Sequence, residues 1–271
     1  MTAQNGTFST SDGCTISYTL EGTRENGAPR LVLIHSLALD RSVWDGVVER
    51  LEARAEILTY DARGHGRSGH PHMQYTAELF GRDLAQLLDH VGWDRTAVAG
   101  CSMGGCVAQA FAGMYPSRAQ ALALIDTTAW YGTEAPKQFR DRALAAKAKG
   151  MQGLIDFQIT RWFSDNFAPA HPDRVKKATD VFLDNDFECY ASTCALLGDA
   201  DLRHYLSSFK MLPVAVVVGE EDYATPVAMA KALHEAIPQS SFRIIKGARH
   251  LTPIECPGEI ADEIANLLER V

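Results

Sequence analysis

A mostly parallel α/β sheet with helices on both faces, carrying an all-helical insertion, is the fold class that the sequence predicts. Three observations predict it. Short apolar runs alternate with helical patterns along most of the chain, the order expected of parallel strands joined by crossover helices. Leu31–Ile34 and Val214–Val218 are unbroken apolar runs, as strands buried on both faces should be. From about residue 128 to 208 no strand run occurs, and helical spacing takes over.

The elements follow in order. Residues 6–10 and 14–20 read as an antiparallel start around the turn Ser11-Asp12-Gly13. Strands are predicted at 31–34, 55–60, 96–100, 121–125, 213–219 and 241–245. The stretch 76–91 is helical, with Leu79, Asp83, Leu84, Leu87 and Leu88 at three- and four-residue intervals. A helix over 103–115 is stopped by Pro116, one over 226–237 is opened by Pro226, and Pro257 opens the terminal helix. Four more helices are predicted at 138–149, 154–163, 174–183 and 190–197. An all-helical segment between two core strands reads as a cap over the carboxyl ends of the sheet. Residues 1–127 and 209–271 then form the core, and 128–208 the cap.

Composition narrows the function classes. With 46% apolar and 22% charged residues in 271, the chain is an ordinary globular protein with ample core. Its net charge of -8 and dispersed basic residues argue against nucleic acid, and imply that an anionic substrate would need a local positive site. No secretory signal is visible at the start, and no apolar run reaches the ~18 residues of a membrane span. The six cysteines form no C-x-x-C pair, so scattered buried thiols in a cytoplasmic protein are expected rather than a zinc or redox site. No metal or cofactor is called for, and homo-oligomerisation is left open.

The chemistry centres on Gly100-Cys101-Ser102-Met103-Gly104, a G-x-S-x-G with a predicted strand before it and a predicted helix after it. That context puts a serine on a strained strand-to-helix turn, its hydroxyl exposed to the site. The helix N-terminus adds a favourable dipole for a developing oxyanion. In proteins with such an elbow an acid and then a histidine follow in chain order. Glu220, Glu221 and Asp222 all lie just after a late strand, and His250 lies after the last one. The Met103 N–H, next to the nucleophile, and an N–H from the loop His35-Ser36-Leu37-Ala38, for which Leu37 is the candidate, would form the oxyanion hole. The loop Asp61-Ala62-Arg63-Gly64-His65-Gly66-Arg67-Ser68 lacks the G-K-[ST] of a phosphate loop and reads as a brace for the elbow.

With these motifs in place the chain resembles the α/β-hydrolase superfamily along nearly its whole length, and within it the 3-oxoadipate enol-lactonases. The marks are His35-Ser36-Leu37-Ala38-Leu39-Asp40 through Trp44, Tyr60 to Gly66, Ser102-Met103-Gly104-Gly105, Arg161-Trp162-Phe163, Asp199 to Arg203, Asp222 with Ala224-Thr225-Pro226, and His250 with Glu255 and Pro257. The resemblance selects Asp222 as the acid, since G-x-x-D with proline four residues on is the superfamily pattern. There are departures. Enol-lactonases usually read N-S-L-G-T in the oxyanion loop, where His35 and Ala38 stand here, and Cys101 stands where leucine is common.

The resemblance implies a serine hydrolase that opens a small carboxylate-bearing enol-lactone through an acyl-enzyme. Ser102 would be the nucleophile, His250 the base, and Asp222 its orienting acid. An enol departs more readily than an alkoxide, so little is asked of His250 as acid. Arg161 is the candidate for the substrate carboxylate. Trp130, Trp162 and Tyr190 are candidates for an apolar wall. The substrate partners would be a small lactone or ester and water. A general carboxylesterase, a carbon–carbon bond hydrolase of ring-cleavage products, or a ligand sensor on the same fold are the alternatives.

Overall fold

The computed structural model describes residues 3–25 and 27–271. The core strands are β1 (Gln4–Ser9), β2 (Thr15–Gly22), β3 (Arg30–Ile34), β4 (Glu56–Tyr60), β5 (Thr96–Cys101), β6 (Ala119–Ile125), β7 (Val214–Gly219) and β8 (Ser241–Ile245). They form one sheet in the order β1-β2-β4-β3-β5-β6-β7-β8. β1 and β2 pair antiparallel, as do β2 and β4; every later neighbour is parallel. The alternation of strands and helices predicts this sheet, and the apolar runs sit where it is covered on both faces. Every residue of β5 and β7 is buried. At the edge, β8 keeps Ser241 and Ile244 exposed.

Helices α1 (Asp45–Leu51), α2 (Ala77–His90) and α3 (Met103–Met114) belong to the first half of the core. α2 is capped by Thr76, whose hydroxyl accepts from the Leu79 N–H, and it buries Phe80, Leu84, Leu87 and Leu88. Nearly all of α3 is buried, because it is enclosed between the sheet and α2. Between β6 and β7 come α4 (Ala135–Lys149), α5 (Ile155–Trp162), α6 (Phe167–Ala170), α7 (Pro172–Leu183) and α8 (Phe187–Asp199), then a 3-10 stretch over Arg203–Met211. α9 (Val227–Ala236), α10 (Thr252–Glu255) and α11 (Pro257–Leu268) complete the chain.

The helical segments expected between 128 and 208 are all present, with shifted ends. α7 starts at Pro172, because proline suits the first helical turn. α8 starts three residues before the expected Tyr190, because the Asp186 side chain caps it by accepting from the Cys189 N–H at 2.9 Å. α1, α6 and α10 were not expected: α6 and α10 have four residues each, too few to display a period. A single antiparallel bridge between Trp130 and Asp201 brings the two ends of the helical segment together.

The brace expected at residues 61–68 is anchored by Arg63. Its guanidinium is 1% exposed and grips Asp83 of α2 with two hydrogen bonds of 2.6 Å, while Nη1 donates to Asp12 in the β1–β2 turn at 2.9 Å. The loop after β4 is thereby tied to two other elements. Arg63→Met would leave Asp83 buried without its cation; a loss of about 3–5 kcal/mol in urea unfolding is expected. The Arg63 hydrogen bond, then that of Thr10, holds the Asp12 carboxyl down at about 2. This depressed pKa contributes stability above the unfolded value of about 3.9 that is lost as pH falls towards 2. Asp12→Asn should therefore flatten the acid limb of a stability–pH curve between roughly 4 and 2.

Candidate active site

Ser102 sits between β5 and α3 with φ 56° and ψ -115°, a conformation that L-residues rarely adopt. Such a residue costs about 1–3 kcal/mol unless its surroundings enforce it. Here they do. The Ser102 N–H donates to the Ile125 carbonyl at 2.9 Å, and the Thr127 hydroxyl donates to the Ser102 carbonyl at 2.7 Å. The turn also needs space. A Cβ on Gly104 would lie 2.1 Å from the Ile34 carbonyl oxygen, and one on Gly100 would lie 2.1 Å from the Gly104 carbonyl oxygen. Glycine at both positions lets α3 start against the end of β3.

Three residues far apart in sequence meet at this turn. Ser102 Oγ lies 2.8 Å from His250 Nε2, and His250 Nδ1 lies 2.8 Å from Asp222 Oδ2. The carboxylate accepts only, so Nδ1 carries the proton and Nε2 presents its lone pair to the Ser102 hydroxyl. Asp222 is held by the Ala224 and Thr225 N–H groups on Oδ1, at 2.7 and 2.9 Å, and by the Thr225 hydroxyl on Oδ2 at 2.8 Å. All three residues are 4–5% exposed. Glu220 and Glu221 do not reach the histidine: Glu220 accepts from the Gly247 N–H, and Glu221 pairs with Arg249 at 3.5 Å.

The oxyanion-loop candidates lie beside the serine. Leu37 and Ser102 line one narrow cavity, and Met103 begins α3 next to it. The loop is shaped by Ala38 at φ 58° and by His35. Burial lowers the His35 pKa, so its ring is neutral; Nδ1 donates to the Ser36 carbonyl at 2.8 Å and Nε2 accepts from the Ala62 N–H at 2.9 Å. His35 therefore ties this loop to the one after β4.

Asp126, at the end of β6, was not anticipated. It is fully buried with φ 48°. Oδ1 accepts from the Gly219 N–H at 3.1 Å, and Oδ2 accepts from the Thr252 N–H and hydroxyl at 3.0 and 2.6 Å. One carboxyl thus joins the root of the Asp222 loop to the residue two beyond His250. Burial, and then the nearby Asp222 charge, push its pKa well up.

The same cavity is lined by Tyr131, Gln158, Arg161 and Trp162 from the helical segment. Gln158, Arg161 and Trp162 share one face of α5 by their three- and four-residue spacing. The end of α5 is fastened to the His250 loop: the Leu251 N–H donates to the Trp162 carbonyl at 3.1 Å, and Arg249 donates to the Phe163 carbonyl at 2.8 Å. Two wall candidates lie elsewhere. Trp130 is apart from the cavity, under the Arg203 guanidinium at 3.9 Å. Its bridge to Asp201 makes the backbone extended, so its neighbour Tyr131 points the other way, into the cavity. Tyr190 is fully buried one layer back, its hydroxyl accepting from Arg142 Nε at 2.8 Å.

His72, Asp186 and Cys189 offer side-chain atoms within 4.8 Å of one another. Each has another employment: Asp186 caps α8 and pairs with His72, and the Cys189 sulfur accepts from the Tyr75 hydroxyl. The six cysteines are free thiols. No described helix is long and apolar enough to cross a membrane.

A strained serine at a strand-to-helix turn, an acid after a later strand and a histidine after the last one are the arrangement of an α/β hydrolase. The model of the alpha/beta hydrolase fold family matches residues 29–257, and the chain belongs to that family. It is 31% identical over 246 residues to 3-oxoadipate enol-lactonase 1 of Acinetobacter baylyi, covering 90% of each chain. The crystal structure of the enol-lactonase from Burkholderia xenovorans LB400 superposes with a TM-score of 0.92 at 31% identity, over 97% of this chain and 100% of that one. A thermophilic esterase from Thermogutta terrifontis, solved with malate bound, gives 0.89 at 28% identity, over 98% of each.

Asp126→Ala would strip the acceptor from three N–H and O–H donors, besides the weak Cys101 thiol contact. At about 1–3 kcal/mol for each buried donor left unsatisfied, urea unfolding should register a loss of at least about 3 kcal/mol. Asp126→Asn, which keeps one oxygen, should lose less.

Proposed function

We propose that this hydrolase opens a small carboxylate-bearing enol-lactone, with Ser102 as nucleophile, His250 as general base and Asp222 as the group that orients the imidazole. The observation that carries the reading is the hydrogen-bonded set Ser102–His250–Asp222, opening onto a cavity that Arg161 lines. The likeness to enol-lactonases over nearly the whole chain supports the substrate class.

His250 Nε2 takes the Ser102 proton as Oγ attacks the lactone carbonyl, and Asp222 stabilises the imidazolium. The Leu37 and Met103 N–H groups receive the oxyanion, at the positive end of α3. Collapse breaks the ring C–O bond, His250 returns the proton to the enol oxygen, and the enol tautomerises to a ketone still tethered to the acyl-enzyme. His250 then activates water to release the second carboxylate. Arg161 and Trp162 hold the substrate, and residues 128–208 serve as a cap that shields the acyl-enzyme from bulk water. Free thiols throughout suit a reducing, cytoplasmic setting.

A second reading, a broader carboxylesterase, is favoured by one observation. Adjoining the Ser102 cavity is a pocket of about 510 Å³ whose walls include Phe139, Leu154, Phe157 and Met229 as well as Arg142, Lys149 and Arg161, more room than a small lactone fills. Steady-state comparison of enol-lactones, saturated lactones, neutral aryl esters and ring-cleavage diketones separates the two. The highest kcat/KM is expected for an anionic enol-lactone; a clear preference for neutral aryl esters would replace the first reading by the second.

Ser102→Ala should lower kcat by at least about 10⁴-fold and abolish labelling by a fluorophosphonate. Asp222→Asn should lower kcat by about 10⁴-fold while leaving the fold intact. A fluorophosphonate adduct mapped by peptide mass spectrometry to any residue other than Ser102 would sink the assignment.

A further inference from the structure

Three polar side chains that line the cavity keep hydrogen-bonding groups with no partner among the described residues. Gln158 is 1% exposed, yet neither its Nε2 nor its Oε1 has a hydrogen-bond partner among the described residues. A buried amide without partners costs several kcal/mol in principle, so its place facing the Ser102 cavity calls for a ligand. Arg142 of α4 lines the same cavity. Its Nε is engaged by the Tyr190 hydroxyl at 2.8 Å, its guanidinium lies 5.8 Å from the Tyr190 ring centre, and its terminal nitrogens remain for another group. Arg161 of α5 lies over the Phe157 ring at 5.1 Å and likewise has no carboxylate within ion-pair distance among the described residues. Burial, and then repulsion by Arg142, lower the Arg161 pKa, as expected of two cations that face one space. In a chain of net charge -8, two neighbouring guanidiniums without an acid between them are what an incoming anion would neutralise.

We infer that Arg142, Gln158 and Arg161 form one carboxylate-binding clamp across α4 and α5, with Arg142 and Gln158 as specificity-determining residues for substrates that carry a carboxylate remote from the scissile carbonyl. The inference rests on the serine-hydrolase reading and deepens it. Arg161 alone could pair with a carboxylate. Two guanidiniums from different helices fix its position, and the Gln158 amide adds a neutral donor while its oxygen remains for a substrate hydroxyl or enol. Tyr190, expected in the wall, instead accepts from Arg142 Nε, which leaves the terminal nitrogens of this cavity-lining residue for a ligand.

The test compares two aryl esters that differ only at the far end of the acyl chain: p-nitrophenyl pentanoate, and the p-nitrophenyl half-ester of glutarate. The ratio of their kcat/KM values does not depend on how much of a variant is folded. The wild type should favour the half-ester. Arg142→Gln and Gln158→Leu should each reduce that ratio, Arg142→Gln by roughly 10- to 100-fold, as for loss of a charged hydrogen bond. Arg142→Lys should retain part of the preference. Adipate, an inert dicarboxylate, should raise the Tm of the wild type and not that of Arg142→Gln; this readout stands even if neither ester is turned over. A wild-type ratio near one, a ratio unchanged in Arg142→Gln, or an adipate shift that survives in Arg142→Gln would overturn the clamp. An enol-lactone that is not turned over, with the half-ester preference and its loss in Arg142→Gln intact, would leave the clamp standing and overturn only the lactone.

Discussion

The backbone of α3 lies against the end of β3, and the geometry around Ser102 depends on that contact. At Gly104 the gap to the Ile34 carbonyl is too small for any side chain. Because α3 begins there, the strained turn of Ser102 can point its hydroxyl toward His250 rather than into the helix. The same contact brings the loop that follows β3 beside the serine, so the Leu37 loop and the start of α3 share one cavity. A methyl group at Gly104 would push the two apart.

Loops that carry the candidate catalytic groups are held by buried polar anchors rather than by packing alone. His35 fastens the Leu37 loop to the one after β4, Arg63 fastens that loop to α2, and Asp126 fastens the Asp222 loop to the chain beyond His250. Each anchor is nearly or fully buried. A buried hydrogen bond to a fixed acceptor is directional, and an unmade one is costly, so these groups set the positions of loops that apolar contacts would leave free to slide. The helical segment is registered in the same way, through the carbonyls of Trp162 and Phe163 at the end of α5.

Charge is distributed unevenly for a reason visible in the cavity. The surface is acidic overall, yet the space in front of Ser102 contains two guanidiniums and a free amide. Among the described residues neither arginine has an acid within ion-pair distance, and the buried Gln158 amide has no partner; leaving that amide unsatisfied costs stability, and a bound ligand would offset the cost.

Much of this was legible before any coordinates. Strand order along the chain follows from apolar runs that alternate with helical periods, and strands covered on both faces read as nearly unbroken apolar runs, so β3, β5 and β7 declare themselves. Ser102 is legible because a glycine-flanked serine between a strand and a helix has few other uses, and His250 because it follows the last strand; Asp222 is one of three acids after a late strand and is picked out by the resemblance to the superfamily pattern. The sequence alone determined these local matters: which segments are strands, where the chain turns sharply, and which residue types stand at the turns. Tertiary structure alone decided what faces what. Trp130 and Tyr131 are adjacent, and a bridge from Trp130 to Asp201, 71 residues on, turns one away from the cavity and the other into it. Asp126 carries no local pattern, since its partners Gly219 and Thr252 lie 93 and 126 residues away. Gln158 shares a helix face with Arg161, a spacing any surface helix could show, and only the meeting of α4, α5 and the His250 loop buries it without a partner. Local pattern reports the backbone's own preferences; the pairing of side chains across the sheet depends on which distant segments the fold brings within hydrogen-bond reach.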